Sequence, residues 1–548
     1  MHSPAQQLPV TEDKKIDMID DEKSIDQSIP DGSNQRKEEN YHMSGLKLYV
    51  LVAGLSLSTL LMSLDMSIMT TAIPLITEKF QSTADIGWYM SGYMLTLCSM
   101  QPLGGKLYAN FSLKYTYLSF FAVFEIGSAV SGAATSSPML ITGRAIAGVG
   151  AAGLLSGGLA IIAVVVELRL RALYTGFLAS MLGLALIIGP LVGGAFTQHV
   201  TWRWIFYINL PVGGAIIAVL VFMFKPPYRT VEQDPVGARI KRLDLPGAAL
   251  FIPAVAMILM ALQWGDITYP WSSARIVGLF VGGGALLLVF AGWQYYVGED
   301  AMISPSVITQ RTVFWSCLSA MFGMGAMSLV GLWLPEWFQV IKGASPVQSG
   351  VNLLPTMLAQ IIATGAAGAL ITAWGYYNPW IIGGTAFLSI GLGLYTLLEV
   401  SSGSPQWIGF QVLTGLGGGM FMTVPLIAIQ GILTPSQTPV GIATVTFFQM
   451  FGGALMTAIS QTIFNQQLLH HLALNVPDVD VAALLAAGTA SVMKVVEPAQ
   501  VPGILLSYNA ALVSPFYLAA ALGATACVCS LGLEWKSVKG KEVVAGGA

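Results

Sequence analysis

Gly183-Leu184-Ala185-Leu186-Ile187-Ile188-Gly189-Pro190-Leu191-Val192-Gly193-Gly194 lies inside a long apolar run. A water-exposed helix tolerates few such residues. Glycine adds backbone freedom that folding must remove, and proline lacks a donor and crowds the preceding turn. In lipid both are tolerated where neighbouring helices support the backbone. Ala185, Gly189 and Gly193 fall four apart, so they share one face, and a second helix can approach that face closely. The stretch reads as a packed transmembrane helix.

The rest of the chain has the same character. Its 548 residues are 55% hydrophobic and 10% charged, where a soluble domain carries about 25% charge. Mean hydropathy is +0.70. Most of the chain is therefore expected in lipid, and 60 glycines suit close helix packing there. A net charge of -3 gives nucleic acid no footing as a partner. Cys98, Cys317, Cys527 and Cys529 all lie in apolar runs and form neither a disulfide framework nor a zinc site. Residues 1–44 differ: they are polar and charged, and read as a disordered cytosolic tail without the features of a signal peptide.

A span needs about 20 apolar residues, and about fourteen candidates are present. Six fall near 46–74, 88–108, 117–134, 140–166, 173–196 and 204–224; two near 246–264 and 276–296; six more near 313–337, 351–373, 380–398, 407–433, 440–464 and 510–533. The expected organisation is a six-helix bundle over 45–225, a basic cytosolic loop over 226–245, and two linking helices over 246–298. A second six-helix bundle over 310–535 and a cytosolic tail over 536–548 follow. With the amino terminus in the cytosol, the inside loops and tail hold Lys106, Lys114, Arg169, Arg171, Lys225, Arg229, Arg239, Lys241, Arg242, Arg311, Lys536, Lys539 and Lys541. The outside loops hold only Lys79, Arg203, Arg275, Lys342 and Lys494, so basic residues favour both termini inside. A weak repeat relates Arg144-Ala145-Ile146-Ala147-Gly148-Val149-Gly150 to Gln411-Val412-Leu413-Thr414-Gly415-Leu416-Gly417, with Gln411 where Arg144 stands. Repeats of this kind mark secondary transporters built from two related halves.

Few ionisable residues lie deep in spans. A carboxyl at Asp65 is costly there unless it takes a proton or finds a partner, which makes it a proton carrier or a structural hydrogen-bonding group. Arg144 stays charged, so it serves to hold a carboxylate, a substrate anion or backbone carbonyls, or to bind helices together. Glu125 stands alone in Phe124-Glu125-Ile126, and structural, lipid-facing and functional readings are all open. Gln101, Gln360, Gln411, Gln430 and Gln449 need partners in hydrocarbon and are candidates to line a central cavity. An apolar cavity with a few amides suits an amphipathic organic molecule better than a sugar or an inorganic ion. The sequence offers no metal-ligand cluster, no phosphate-binding loop and no nucleophile with a base, so neither an enzyme nor a cofactor is expected. Transport must then draw on an ion gradient or on the substrate's own.

These stretches together resemble the fourteen-span drug:proton antiporter branch of the major facilitator superfamily, especially fungal toxin and multidrug efflux pumps. Leu64-Asp65-Met66-Ser67-Ile68 resembles the branch's first-helix motif. Asp85-Ile86-Gly87-Trp88-Tyr89 and Gln101 through Tyr108 resemble its second-helix region. Arg144 through Gly153 is similar to the motif whose arginine is implicated in proton transfer. Gly183, Gly189-Pro190 and Gly193-Gly194 resemble the antiporter motif. Trp202-Arg203-Trp204-Ile205-Phe206-Tyr207-Ile208-Asn209-Leu210-Pro211, Ala261 through Gly265, Ser345-Pro346 with Ser349-Gly350, and Glu534 through Lys539 carry the likeness onward. The loop after the second span departs from the pattern: Ala109 stands near the usual aspartate, and Ser112 and Leu113 replace a glycine and an arginine.

The resemblance implies an all-α integral membrane protein of the major facilitator fold, two six-helix bundles with two additional linking helices. It implies alternating access about a central site, with Asp65 and Arg144 in proton coupling, and substitution of Gly189 or Pro190 damaging transport more than folding. The expected activity is proton-driven export of a hydrophobic or amphipathic small molecule by a monomer in the plasma membrane, with the vacuolar membrane as alternative. Nutrient uptake or storage (a basic amino acid or iron chelate) and a non-transporting sensor are the competing readings. The sequon Asn110-Phe111-Ser112 falls in an inside loop and is expected to stay unmodified. No electrophoretic shift on endoglycosidase treatment is the expected result; a shift that maps to Asn110 refutes the topology.

Overall fold

In hydrocarbon the backbone must satisfy its own donors and acceptors, so apolar runs separated by short polar turns fold as helices laid side by side. The computed structural model describes residues 43–82, 85–226, 234–265, 268–476 and 500–538. The tail at 1–42, the part of the basic loop at 227–233 that holds Arg229, the outside segment holding Lys494 and the terminal Lys539 and Lys541 lie outside the described residues.

The long helices run in chain order as α1 (Leu46–Phe80), α2 (Ile86–Asn110), α3 (Leu113–Gly132), α4 (Ser137–Val165), α5 (Leu168–His199), α6 (Asn209–Met223), α7 (Leu245–Trp264) and α8 (Ala274–Val297). They continue as α9 (Arg311–Val340), α10 (Leu354–Trp374), α11 (Asn378–Leu394), α12 (Ser404–Met422), α13 (Thr438–Asn475) and α14 (Val501–Leu531). Twelve helical stretches among the described residues are long and apolar enough to cross a membrane. Helices α2 and α3 are not among them; they carry Gln101, Lys106 and Asn110, and Lys114 and Glu125, respectively.

Several boundaries differ from the sequence expectation for one reason: a helix does not stop where apolarity does. The span expected at 440–464 runs on through His470 and His471 to Asn475, and the last begins at Val501 rather than 510. The span expected at 407–433 is interrupted. Thr423 separates α12 from Val424–Ile432, where Pro425 cannot donate to the preceding turn.

Helices α1 to α6 pack among themselves, as do α9 to α14, and α7 lies against α2 and α13. Helix α8 packs mainly on α7 and buries only Ile276, Gly283, Phe290 and Gln294, which leaves an apolar surface facing outward. Asp244 joins this pair. Its carboxylate accepts from Gly247 N at 3.0 Å, Trp293 Nε1 at 2.7 Å, Gln294 Nε2 at 2.6 Å and Met302 N at 2.8 Å. The Lys106 ammonium donates to the Glu299 carbonyl (3.3 Å), so a residue read only as loop charge fastens α2 to the chain after α8. The carboxy-terminal Glu534-Trp535-Lys536 stretch is also fastened: Val538 N donates to Gly375 O (2.7 Å) and Asn378 Nδ2 to Leu533 O (3.2 Å). Gly375 sits at φ 88, where a side chain would be strained. Hydrogen bonding to Lys536 holds the Glu534 carboxyl below its usual range.

The two groups meet mainly toward the end at which α1 begins. A Cβ on Gly105 would lie 3.0 Å from Pro439 O, and one on Gly176 would lie 3.0 Å from Thr364 O. Arg171 Nη1 donates to Gln430 O (3.5 Å), and Gln430 Nε2 to Thr175 Oγ1 (3.4 Å).

Within each group the small residues of the repeat allow backbones to touch. A Cβ on Gly150 would fall 2.6 Å from Phe124 Cα, and one on Gly417 would fall 2.7 Å from Leu388 Cα. Overpacking of this kind costs about 1–3 kcal/mol per site. Gly150→Val is expected to lower the thermal midpoint of the purified protein or abolish its monodisperse elution. Gly284→Val, where a Cβ meets nothing within 4 Å, is expected to leave both unchanged.

Candidate functional site

Asp65 and Arg144, separated in sequence and each 1% exposed, form a buried ion pair through Asp65 Oδ2 and Arg144 Nη1. Their positions follow from local sequence. The run Leu46–Phe80 carries Asp65 to the middle of α1. Ser136 Oγ accepts from Met139 N, and Pro138 occupies the first turn, so α4 starts where Arg144 comes two turns in. Asp85 accepts from Ser137 Oγ, and Tyr89 OH donates to the same hydroxyl at 3.0 Å, which ties the start of α2 to the start of α4.

The guanidinium is held from several sides. Arg144 Nε donates to Tyr89 O at 3.2 Å, and the group lies 4.4 Å from the Tyr93 ring centroid and 5.8 Å from that of Phe206. Asn209, fully buried at the head of α6, donates through Nδ2 to Asp65 Oδ1 (3.4 Å) and to Ser128 Oγ (3.0 Å). Parts of α1, α2, α3, α4 and α6 thus meet at one charge pair. The sequence reading named Asp65 and Arg144 separately and missed Asn209, Phe206, Tyr93 and Ser128 as their partners. An asparagine inside an otherwise apolar helix was the available signal for Asn209, within a stretch noticed only for its resemblance.

The opening glycine stretch lies on the flank of this site. Ser67 Oγ donates to Ala185 O (2.9 Å) and Ser63 Oγ to Leu182 O (3.3 Å), which draws α5 against α1. A Cβ on Gly189 would fall 2.8 Å from Ser67 Cβ, and one on Gly193 would fall 2.9 Å from Ile68 O. A Cβ on Gly183 would press on Ile361 of α10 at 2.8 Å; one on Gly194 meets nothing within 4 Å. Pro190 sits inside α5 on the exposed side. A side chain at Gly189 therefore meets the Ser67 side chain first and the backbone of α1 at Ile68 N, 3.1 Å away, just behind it.

The glutamines are placed as follows. Gln411 is fully buried and bonds to Thr356 Oγ1 (2.9 Å) and Asn352 O (2.9 Å), joining α12 to α10. Gln449 donates to Met422 O (3.2 Å), the carbonyl at the break in α12, and Gln360 lies 3.3 Å from Met422 Sδ. Gln430 is at the contact between the groups, and Gln101 is buried in α2 with its Oε1 unpartnered. Among the described residues no group of His, Cys, Asp and Glu is arranged to hold a metal.

A buried, hydrogen-bonded charge pair between long apolar helices belongs to a membrane protein that handles charge inside lipid. Residues 55–457 match the Major Facilitator Superfamily, and the chain belongs to that family. It is 44% identical over 489 residues to the efflux pump roqT of Penicillium rubens, covering 89% of this chain and 91% of that protein. It is 41% identical over 504 residues to the MFS-type efflux pump MFS1 of Arthroderma benhamiae, covering 92% and 94%. Among solved structures, the proton:xylose symporter XylE matches with a TM-score of 0.57 at 13% identity, covering 90% of this chain and 98% of that one, a likeness of fold.

Removing one partner of a buried ion pair strands the other and costs about 3–5 kcal/mol, whereas removing both costs far less. Asp65→Asn and Arg144→Gln are each expected to lower the thermal midpoint of the protein in detergent. The double variant is expected to recover part of that loss. A double variant that simply sums the two losses shows that the residues are not energetically paired.

Proposed function

We propose that this chain is a proton-coupled antiporter that exports a hydrophobic or amphipathic small molecule, such as a secondary metabolite, mycotoxin or drug. The export reading rests on near-full-length similarity to fungal proteins named efflux pumps. The proton reading rests on the Asp65–Arg144 pair. All fourteen long helices cross the membrane in this reading, with 45–225 and 310–535 as the two moving halves, 246–298 as the link, and both termini cytosolic. The contacts at Gly105, Arg171 and Gln430 then close the cytosolic end, and the central site opens outward. The protein works as a monomer in the plasma membrane.

A proton arriving from outside changes the charge balance at Asp65 and weakens its hold on Arg144. Those two residues bind α1 to α4, so the change alters the packing of the first half. Gly183, Gly189 and Gly193 place α5 between α1 and α10, where the tilt is transmitted. Gln360 and Gln449, near the break in α12, and Gln101 supply polar groups for an otherwise apolar path, while Gln411 and Gln430 hold helices together beside it.

Reconstituted vesicles with an imposed pH gradient test the coupling, with the metabolites that a deletion strain retains as the substrate pool. Wild-type protein is expected to move retained compounds only with the gradient, and Asp65→Asn and Arg144→Ala are expected to lose gradient dependence by tenfold or more. Undiminished coupling in both variants overturns the assignment of the proton to this pair.

A further inference from the structure

Glu125 is the buried carboxyl that the coupling scheme leaves idle. It is 9% exposed, and neither of its oxygens has a hydrogen-bond partner. Its carboxyl lies against Gly213 of α6, so closely that a Cβ on Gly213 would fall 2.6 Å from Glu125 Cδ and 2.9 Å from the Phe121 ring. An ionised carboxylate left bare in such a place is among the most costly arrangements a protein can hold, whereas the neutral acid costs far less.

The position lies one helical turn from the polar network of the charge pair. Ser128 lies one turn along α3 from Glu125, and Asn209 lies one turn along α6 from Gly213. Asn209 bridges Ser128 to Asp65. Other unpartnered buried polar atoms gather in the same layer: Arg144 Nη2, Asn209 Oδ1 and Ser131 Oγ. Among the described residues, the titratable and charged groups around this layer are Asp65 on α1, Tyr93 on α2, Arg144 on α4 and Tyr207 beside Gly132, with Tyr117 farther along α3. Helix α6 brings none. Asp65 is pinned by Arg144 and Asn209; Glu125 is pinned by nothing.

We propose that Glu125 is the resting place of the transported proton, with Asp65, Asn209 and Ser128 forming the polar route to it. A proton from the external side binds one Glu125 oxygen and converts the carboxylate to the acid. On turnover it leaves to water on the cytosolic side and restores the carboxylate. The purpose assigned here rests on the proton-coupled reading above; the geometry does not.

Infrared difference spectra of the purified protein, recorded between acidic and alkaline pH without substrate, test the proposal. Wild type is expected to show the band of a carboxylic acid in apolar surroundings. Glu125→Gln is expected to lose it, Asp65→Asn to keep it, and Glu125→Asp to restore it at a shifted frequency. Because the band reads proton binding alone, failure of export in vesicles sinks the transport reading and leaves the titration of Glu125 standing. A difference spectrum unchanged in Glu125→Gln, or a band in that variant at the wild-type frequency, overturns the proposal.

Discussion

The amino-terminal half is organised around the cost of keeping Asp65 and Arg144 out of water. Coulomb attraction alone does not repay the desolvation of two ions; the remaining lone pairs and protons must also be met. Here the backbone carbonyl of Tyr89, the amide of Asn209 and the faces of Tyr93 and Phe206 share that work. These contributors come from α2 and from α6 with its approach. The pair therefore constrains where α1, α2, α4 and the entry to α6 stand, and α3 joins through Ser128.

The carboxy-terminal half repeats the scaffold without the charge. Arg144 bonds to the backbone of Tyr89, and Gln411 bonds to Thr356, each across 55 positions of sequence. Gly150 rests on Phe124 as Gly417 rests on Leu388. A neutral amide thus holds helix to helix in one half where a charged group does so in the other. The same framework carries an ionisable pair in one half and a neutral amide in the other.

Much of this was legible in sequence, because lipid leaves the backbone few choices. The apolar runs mark the helices, and the Gly-x-Gly repeat marks where α4 meets α2, at Gly148, and α3, at Gly150. Asp65 and Arg144 stand out because charge is rare in such runs. What stayed hidden depends on distance between helices. Nothing local joins Asp65 to Arg144, or shows that Asn209 reaches both Asp65 and Ser128. Gln411 and Gln449 illustrate the converse: as sequence they are polar groups awaiting a use, and in space they secure α10 to α12 and the carbonyl exposed by the break at Thr423. Glu125 kept three readings open because its surroundings are set by Gly213, far along the chain.

Helix α5 touches its own half through Gly189 and Gly193 and the other half through Gly176 and Gly183. Interlocked side chains would have to climb out of their grooves before two helices could shift. Where Gly176 of α5 faces Gly368 of α10, backbone meets backbone without such teeth. There α5 lies on the other half as one smooth surface on another, close enough for strong dispersion contact. The same closeness leaves little tolerance at Gly176 or Gly368 for even one added methyl group.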